Sequence, residues 1–110
     1  MATKQTFGAA LTGTSQTIYT VPDHRQAEWV LMYITNTSGS NGNVTVSYTD
    51  DSESATLSIF DGYTISSKEY VQIGGGFNEF IMMEAGDSIS ASATQPMSLL
   101  VSVIEHNSNR

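Results

Sequence analysis

One stretch constrains the fold more than any other: Thr17 to Thr37, TIYTVPDHRQAEWVLMYITNT. Pro22 divides it. A proline has no N–H to give to a ladder, so the strand before it ends there. Beyond the proline lies the longest apolar run in the chain, Gln26 to Asn36. Its β-branched and aromatic content favours a strand over a helix. Successive side chains on a strand point to opposite faces. That rule puts Trp29, Leu31 and Tyr33 on one face and Val30, Met32 and Ile34 on the other. Both sets are apolar, which predicts a central strand covered on both sides. The remaining strands are expected to pack around it.

The rest of the chain reads as short strands between turn signals. Gln16–Val21 is the first confident strand. Ser38-Gly39-Ser40-Asn41-Gly42 is a dense turn signal, followed by Asn43–Thr49 with Val44, Val46 and Tyr48 on one face. Asn-Gly is a strong hairpin signal, so 26–36 and 43–49 are predicted to form a hairpin. Asp50 to Ser54 is an acidic loop. Thr56–Phe60 is a strand ended by Asp61-Gly62, and the short run Tyr63–Ile65 is ambiguous. Glu69–Ile73 alternates, with Tyr70 and Gln72 opposite Val71 and Ile73. Gly74-Gly75-Gly76 breaks it, and Phe77–Met83 reads as a strand buried on both sides. Ser88–Thr94 points Ile89, Ala91 and Ala93 inward. Ser98–Glu105 opposes Leu99, Val101 and Val103 to Leu100 and Ile104. No stretch has clean helical periodicity. About eight strands with regularly spaced turns predict an all-β, single-domain antiparallel β-sandwich of jelly-roll type.

Length fits one such domain. Residues 15–106 form the predicted sandwich, 107–110 a frayed tail, and 1–14 an extended arm with Phe7 and Leu11 as its apolar anchors. The arm has two possible places: the chain's own sheet, or a neighbouring subunit, where Phe7 and Leu11 would bind a partner. Net charge is −7 with a sequence pI of about 4.4. That field repels phosphate and disfavours direct binding to nucleic acid or anionic lipid. No run approaches the roughly 20 apolar residues of a membrane helix. The start MATKQTFGAAL lacks the basic-then-apolar pattern of a signal peptide, so synthesis in a cytoplasm without export is expected. With no cysteine, disulfides and thiolate chemistry are excluded.

Candidate chemistry is sparse. His24 and His106 each neighbour an acid, Asp23 and Glu105, but adjacent strand residues point apart, and solvated imidazoles are the simpler reading. Asp50, Asp51 and Glu53 could hold calcium, yet the EF-hand spacing is absent and a solvated loop explains them as well. Trp29 could stack on a sugar, but its apolar neighbours favour a core position; Tyr48, Tyr63 and Tyr70 are better placed for carbohydrate. Gly74-Gly75-Gly76 lacks the Lys-Ser/Thr of a phosphate loop. Asn36-Thr37-Ser38 and Asn43-Val44-Thr45 match the glycosylation pattern by composition alone. No nucleophile elbow exists, and nothing singles out two of the eleven acids as a catalytic pair. The expectation is no enzyme, no cofactor and no metal.

A resemblance supplies what chemistry does not. Gly8, Leu11, Thr17, Tyr19 to Pro22 and Asn36 to Gly39 form a pattern of Gly, Leu, T-x-Y-T-V-P and a closing N-T-S-G. Together with Ile81–Met83, Ala85-Gly86-Asp87 and the alternating Ser88–Ala93, it resembles small virion structural proteins of tailed bacteriophages. The family usually has Ala-Gly after Val-Pro; Asp23-His24 stand here. The resemblance implies a virion component of sandwich fold. It would be a capsid decoration (cement) protein, or a neck, collar or tail-fibre protein, often a homo-oligomer, assembled in the bacterial host cytoplasm. Its partners would be the major capsid protein or other virion proteins. Decoration is the preferred expectation because a fibre protein more often adds a shaft or a receptor-binding tip. A carbohydrate-binding module is the alternative from another class.

Overall fold

The computed structural model describes residues 3–74 and 81–107. It consists of two antiparallel sheets packed face to face. In chain order the strands are β1 (Thr3–Leu11), β2 (Gln16–Thr20), β3 (Arg25–Asn36), β4 (Gly42–Asp50), β5 (Ala55–Ile65), β6 (Tyr70–Gly74), β7 (Ile81–Glu84), β8 (Ser88–Ala93) and β9 (Met97–Asn107). One sheet has the order β1-β9-β3-β6, with β7 also on β3; the other has the order β2-β8-β4-β5. β6 pairs with Leu31–Thr35 and β7 with Gln26–Trp29. They lie end to end on one edge of β3 and act as a single interrupted strand. Counted so, the fold is eight strands in two sheets of four, the jelly-roll arrangement.

The predicted hairpin between 26–36 and 43–49 is not formed. β3 pairs with β9, β6 and β7, whereas β4 pairs with β5 and β8. The Asn-Gly signal specifies backbone dihedrals at the turn, not which strand the chain pairs with next. Ile34 and Val44 each carry core-facing bulk, and both are fully buried. Sending the two strands into opposite sheets lets both bury it against the shared interior. The hairpin that does form is β4–β5, around the acidic loop Asp51–Ser54. The ambiguous run Tyr63–Ile65 continues β5 past an irregular pairing at Asp61-Gly62, where Gly62 takes φ 69°.

The face assignment on β3 also changes. Between Trp29 and Leu31 the ladder to β9 slips by one residue, so Val30 has no partner there. A bulge of this kind moves every later side chain to the opposite face. Trp29 therefore joins Met32 and Ile34 in the interior, while Leu31 and Tyr33 point outward. The strand is central in its sheet, but the described residues cover only its inner face. β7 is likewise not buried on both sides: Met83 is fully buried and Met82 is exposed. The predicted strand residues 77–80 lie outside the described residues.

The bulge also explains where the edge strand breaks. Gly74, the last residue of β6, takes φ 83°, and a Cβ there would stand 2.4 Å from the Val30 carbonyl oxygen. Only glycine fits beside the bulged backbone.

The interior is built from alternate positions of both sheets. Met32, Ile34, Met83, Val101 and Val103 from one meet Val44, Val46 and Ile89 from the other, all at 2 % exposure or less. Ala91 and Ala93 on β8 face inward as predicted, with Leu99 on β9. Of the two placements open to the N-terminal segment, the structure has Thr3–Leu11 paired along β9, from Thr3 opposite Glu105 to Leu11 opposite Met97.

Candidate functional site

The sequence motifs prove to be joints of the sandwich. The Val21 N–H donates to the Asp87 carbonyl at 2.9 Å, and the Gly86 N–H donates back to the Val21 carbonyl at 3.0 Å. T-V-P and A-G-D are thus clamped together. Gly86 takes φ 91°, a conformation glycine adopts without strain. The buried Asp87 carboxylate accepts from the Tyr48 hydroxyl, the Asp51 N–H and the Glu84 N–H. Burial and that bond raise the Tyr48 phenol pKa well above its usual value. His24, where the resembling phage proteins usually have glycine, takes φ 66°, a region costly for a side-chain-bearing residue.

Asn36 of the N-T-S-G motif is fully buried. Its amide donates to the carbonyls of Ser40 and Ile65, both at 2.9 Å, and its Oδ1 accepts from the Ser38 N–H and hydroxyl. All four of its hydrogen-bonding positions are filled. It ties the β3–β4 loop to the β5–β6 loop.

At the opposite end of the sandwich, Glu105 is 4 % exposed. It accepts from the Tyr19 hydroxyl at 2.6 Å and Gln5 Nε2 at 3.0 Å, and Arg25 stands 3.9 Å away. Burial, then the bond to this carboxylate, hold the Tyr19 phenol well above its usual pKa. Sequence reading missed Asn36, Tyr19–Glu105 and Tyr48–Asp87 as partners. The two Tyr–carboxylate pairs and the Asn36 bond to Ile65 join residues far apart in the chain, and no spacing rule reaches that far.

The predicted site residues are dispersed over the fold. Leu11 is buried in the core, and Phe7 packs on Tyr19 with ring centroids 4.9 Å apart. Trp29 is 5 % exposed and belongs to the core. His106 pairs not with its sequence neighbour but with Glu28 across the β9–β3 ladder. His24 occupies the turn after Pro22. Asp50 is engaged by Ser52 and the Glu53 N–H. Among the described residues no group of three His, Asp or Glu side chains is placed to hold a metal ion.

The molecule presents two unlike faces to its surroundings. The outer face of the β2-β8-β4-β5 sheet is made of hydroxyls. In register across it run Thr45 with Ser92, Ser90 with Ser47 and Ser58, and Ser88 with Thr49 and Thr56. The outer face of the other sheet is mixed: Thr6 with Ser102 and Glu28 with His106 are polar pairs on it, and an apolar and aromatic patch lies toward β6. Tyr33 lies between Leu100 and Gln72, and Tyr70 stands beside Thr35. Leu100 is 48 % and Tyr70 64 % exposed, and the Leu100 side chain lies over Gly8. Leu31 and Ile104 are half-buried on the same face.

At the corner where β5 turns into β6, Tyr63 and Tyr70 line one groove of about 220 Å³ with Thr64, Ser66 and Glu69. Tyr63 stacks on Phe60, with centroids 4.9 Å apart and planes 18° apart, and Tyr70 leans on Tyr33 at 6.1 Å. Tyr48, the third tyrosine predicted for such a site, is held on the Asp87 carboxylate.

No family model matches the chain, and no curated protein matches it. Its fold matches solved structures. A chain from Bacillus endospore appendages, a family of disulfide-linked pili, aligns with a TM-score of 0.59 and 12% identity over 99% of this chain and 88% of that one. A chain of the T13 particle of infectious bursal disease virus aligns with a TM-score of 0.54 and 9% identity. That alignment takes in 97% of this chain but only 36% of the viral one. At these identities the likeness is one of fold: the chain is a β-sandwich of the kind found in a pilus and in a viral particle.

Proposed function

We propose that this chain is a non-enzymatic structural protein of a tailed-bacteriophage particle, most specifically a capsid decoration protein that docks on the outer head surface. One observation carries the reading: the two outer sheet faces differ in chemistry. A sheet that faces water on one side normally alternates apolar-in and polar-out. The β2-β8-β4-β5 sheet does so with its serines and threonines. The other sheet keeps polar residues such as Thr6, Ser102 and Gln72 outside but also points Leu100, Tyr33, Tyr70 and Leu31 outward as one patch. Burying such a patch on a protein surface gives roughly 25 cal/mol for each Å² of apolar area removed from water. The occupant proposed is the shell of the particle, through the major capsid protein. The hydroxyl face would then meet solvent.

The resemblance in T-V-P, N-T-S-G and A-G-D supports the phage assignment, and the two matched folds come from assemblies. The acidic surface fits a protein that stays dissolved until it assembles. Phe7 and Leu11 would reach a partner in this scheme only if β1 were exchanged between copies, since both are engaged within the chain. The neck, collar or tail is the second location in the same class.

Immunogold labelling of particles from the source lysate, viewed by electron microscopy, tests the reading. Gold spread over the heads is the expected result. Gold confined to neck or tail replaces decoration by the second location, and unlabelled particles overturn the virion reading.

A further inference from the structure

The groove at the β5–β6 corner has features that the docking face does not explain. We propose that it binds a neutral saccharide ring between Tyr63 and Tyr70. A groove lined by two exposed tyrosines together with Thr64, Ser66 and Glu69 suits a sugar, whose ring presents C–H groups on its faces and hydroxyls on its rim. The faces would pack on the phenol rings. The rim hydroxyls would meet the Thr64 and Ser66 hydroxyls and the Glu69 carboxylate. Both rings are exposed, Tyr63 at 46 % and Tyr70 at 64 %, yet each has an aromatic neighbour, Phe60 and Tyr33 respectively.

The groove is also held more firmly than a surface loop requires. Asn36 donates to the Ile65 carbonyl, and the Asn36 backbone bonds Glu69 and Lys68 at 2.9 and 3.0 Å. Ser67 bonds Asn41 and Ser38, and the Lys68 ammonium reaches the Thr37 carbonyl. A groove fixed before binding loses little entropy when occupied.

Charge and size narrow the ligand. A carboxylate in the groove and a net charge of −7 argue against sulfated, phosphorylated or sialylated glycans. A volume of about 220 Å³ is below the roughly 300–1,000 Å³ of sites for drug-sized ligands. It accommodates one ring of a longer chain.

Tyr70 borders both this groove and the proposed docking patch, so sugar binding is a property of the undocked protein, and its test needs only the intact chain in solution. The ¹⁵N-labelled protein is titrated with glucose, galactose, mannose and N-acetylglucosamine and their short neutral oligomers. Expected are saturable amide shifts confined to residues 63–71 with at least one sugar. Tyr70→Ala and Glu69→Gln, each with an unchanged thermal midpoint, are expected to weaken that binding by about tenfold or more, as loss of one stacking or charged contact would. No shift in 63–71 with any sugar overturns the proposal. So does binding that survives both substitutions, and so does a proline-rich peptide that saturates the groove when no sugar does.

Discussion

Asn36 holds two loops together with a single amide, and its chemistry is unforgiving. Asn36→Asp keeps the shape but aims a second oxygen at the Ser40 and Ile65 carbonyls. Buried polar groups left without partners cost about 1–3 kcal/mol each. The variant is therefore expected to lose about 3 kcal/mol or more in urea unfolding, and a loss too small to measure would remove the staple role. The two carboxylate-bonded phenols, Tyr19 and Tyr48, give a pH dependence. Their pKa values are raised from 10.0 in the folded chain, so the native state holds these protons more tightly than the unfolded state does. Their stabilisation is complete below pH 10 and is lost as pH rises above it. Thermal midpoints followed above pH 10 are expected to fall, and to fall less steeply in Tyr19→Phe. Neither Asn36 nor Tyr19 announces such a role in the sequence. Asn36 reads as a chance glycosylation match, and the Tyr19 partner stands 86 residues away.

At the scale of elements, what is legible comes from periodicity. β8 and β9 alternate without interruption, and their inward residues are those the pattern names. β3 defeats the same rule because one unpaired residue, Val30, reverses the parity after it, and a bulge leaves no mark in composition. The glycine opposite it does leave one, since a Gly-rich break follows β6. Gly74→Ala would force a Cβ against the Val30 carbonyl in a backbone conformation alanine resists. A loss of about 2 kcal/mol or more is expected, with faster hydrogen exchange at Tyr70–Ile73; unchanged exchange there would mean β6 does not depend on this approach. β1 is the other informative edge. It covers β9 along nine residue pairs and seats Leu11 in the core. Removing residues 1–12 is expected to lower the unfolding midpoint and promote association through the bared β9 edge. A truncated chain as stable as the intact one would favour the exchangeable arm over an integral strand.

For the whole molecule, the sandwich class is readable in the sequence and the proposed docking surface is not. The run Trp29 to Ile34 announces two apolar faces, which implies cover on both sides. The described residues supply cover on one side only, and the outward patch of Leu31, Tyr33, Leu100 and Tyr70 becomes visible once register sets three strands together. The candidate groove is half legible: Tyr63 and Tyr70 stand out as aromatics suited to a sugar, but their convergence depends on a corner that no local pattern encodes. Leu100→Asp puts a charge in the middle of the apolar face without touching the interior. Its stability is expected to change by no more than about 1 kcal/mol, while binding to purified heads lacking this protein is abolished. Retained binding would direct attention to another surface.

The pairing of β1 with β9 has one more consequence. Thr3 faces Glu105 across a single ladder, so the chain leaves the sheet almost where it enters, separated by about one interstrand spacing of roughly 5 Å. Topologically the domain is nearly a closed ring. A larger protein could carry it as an insertion in a surface loop, with entry and exit side by side, and the host backbone would scarcely need to open.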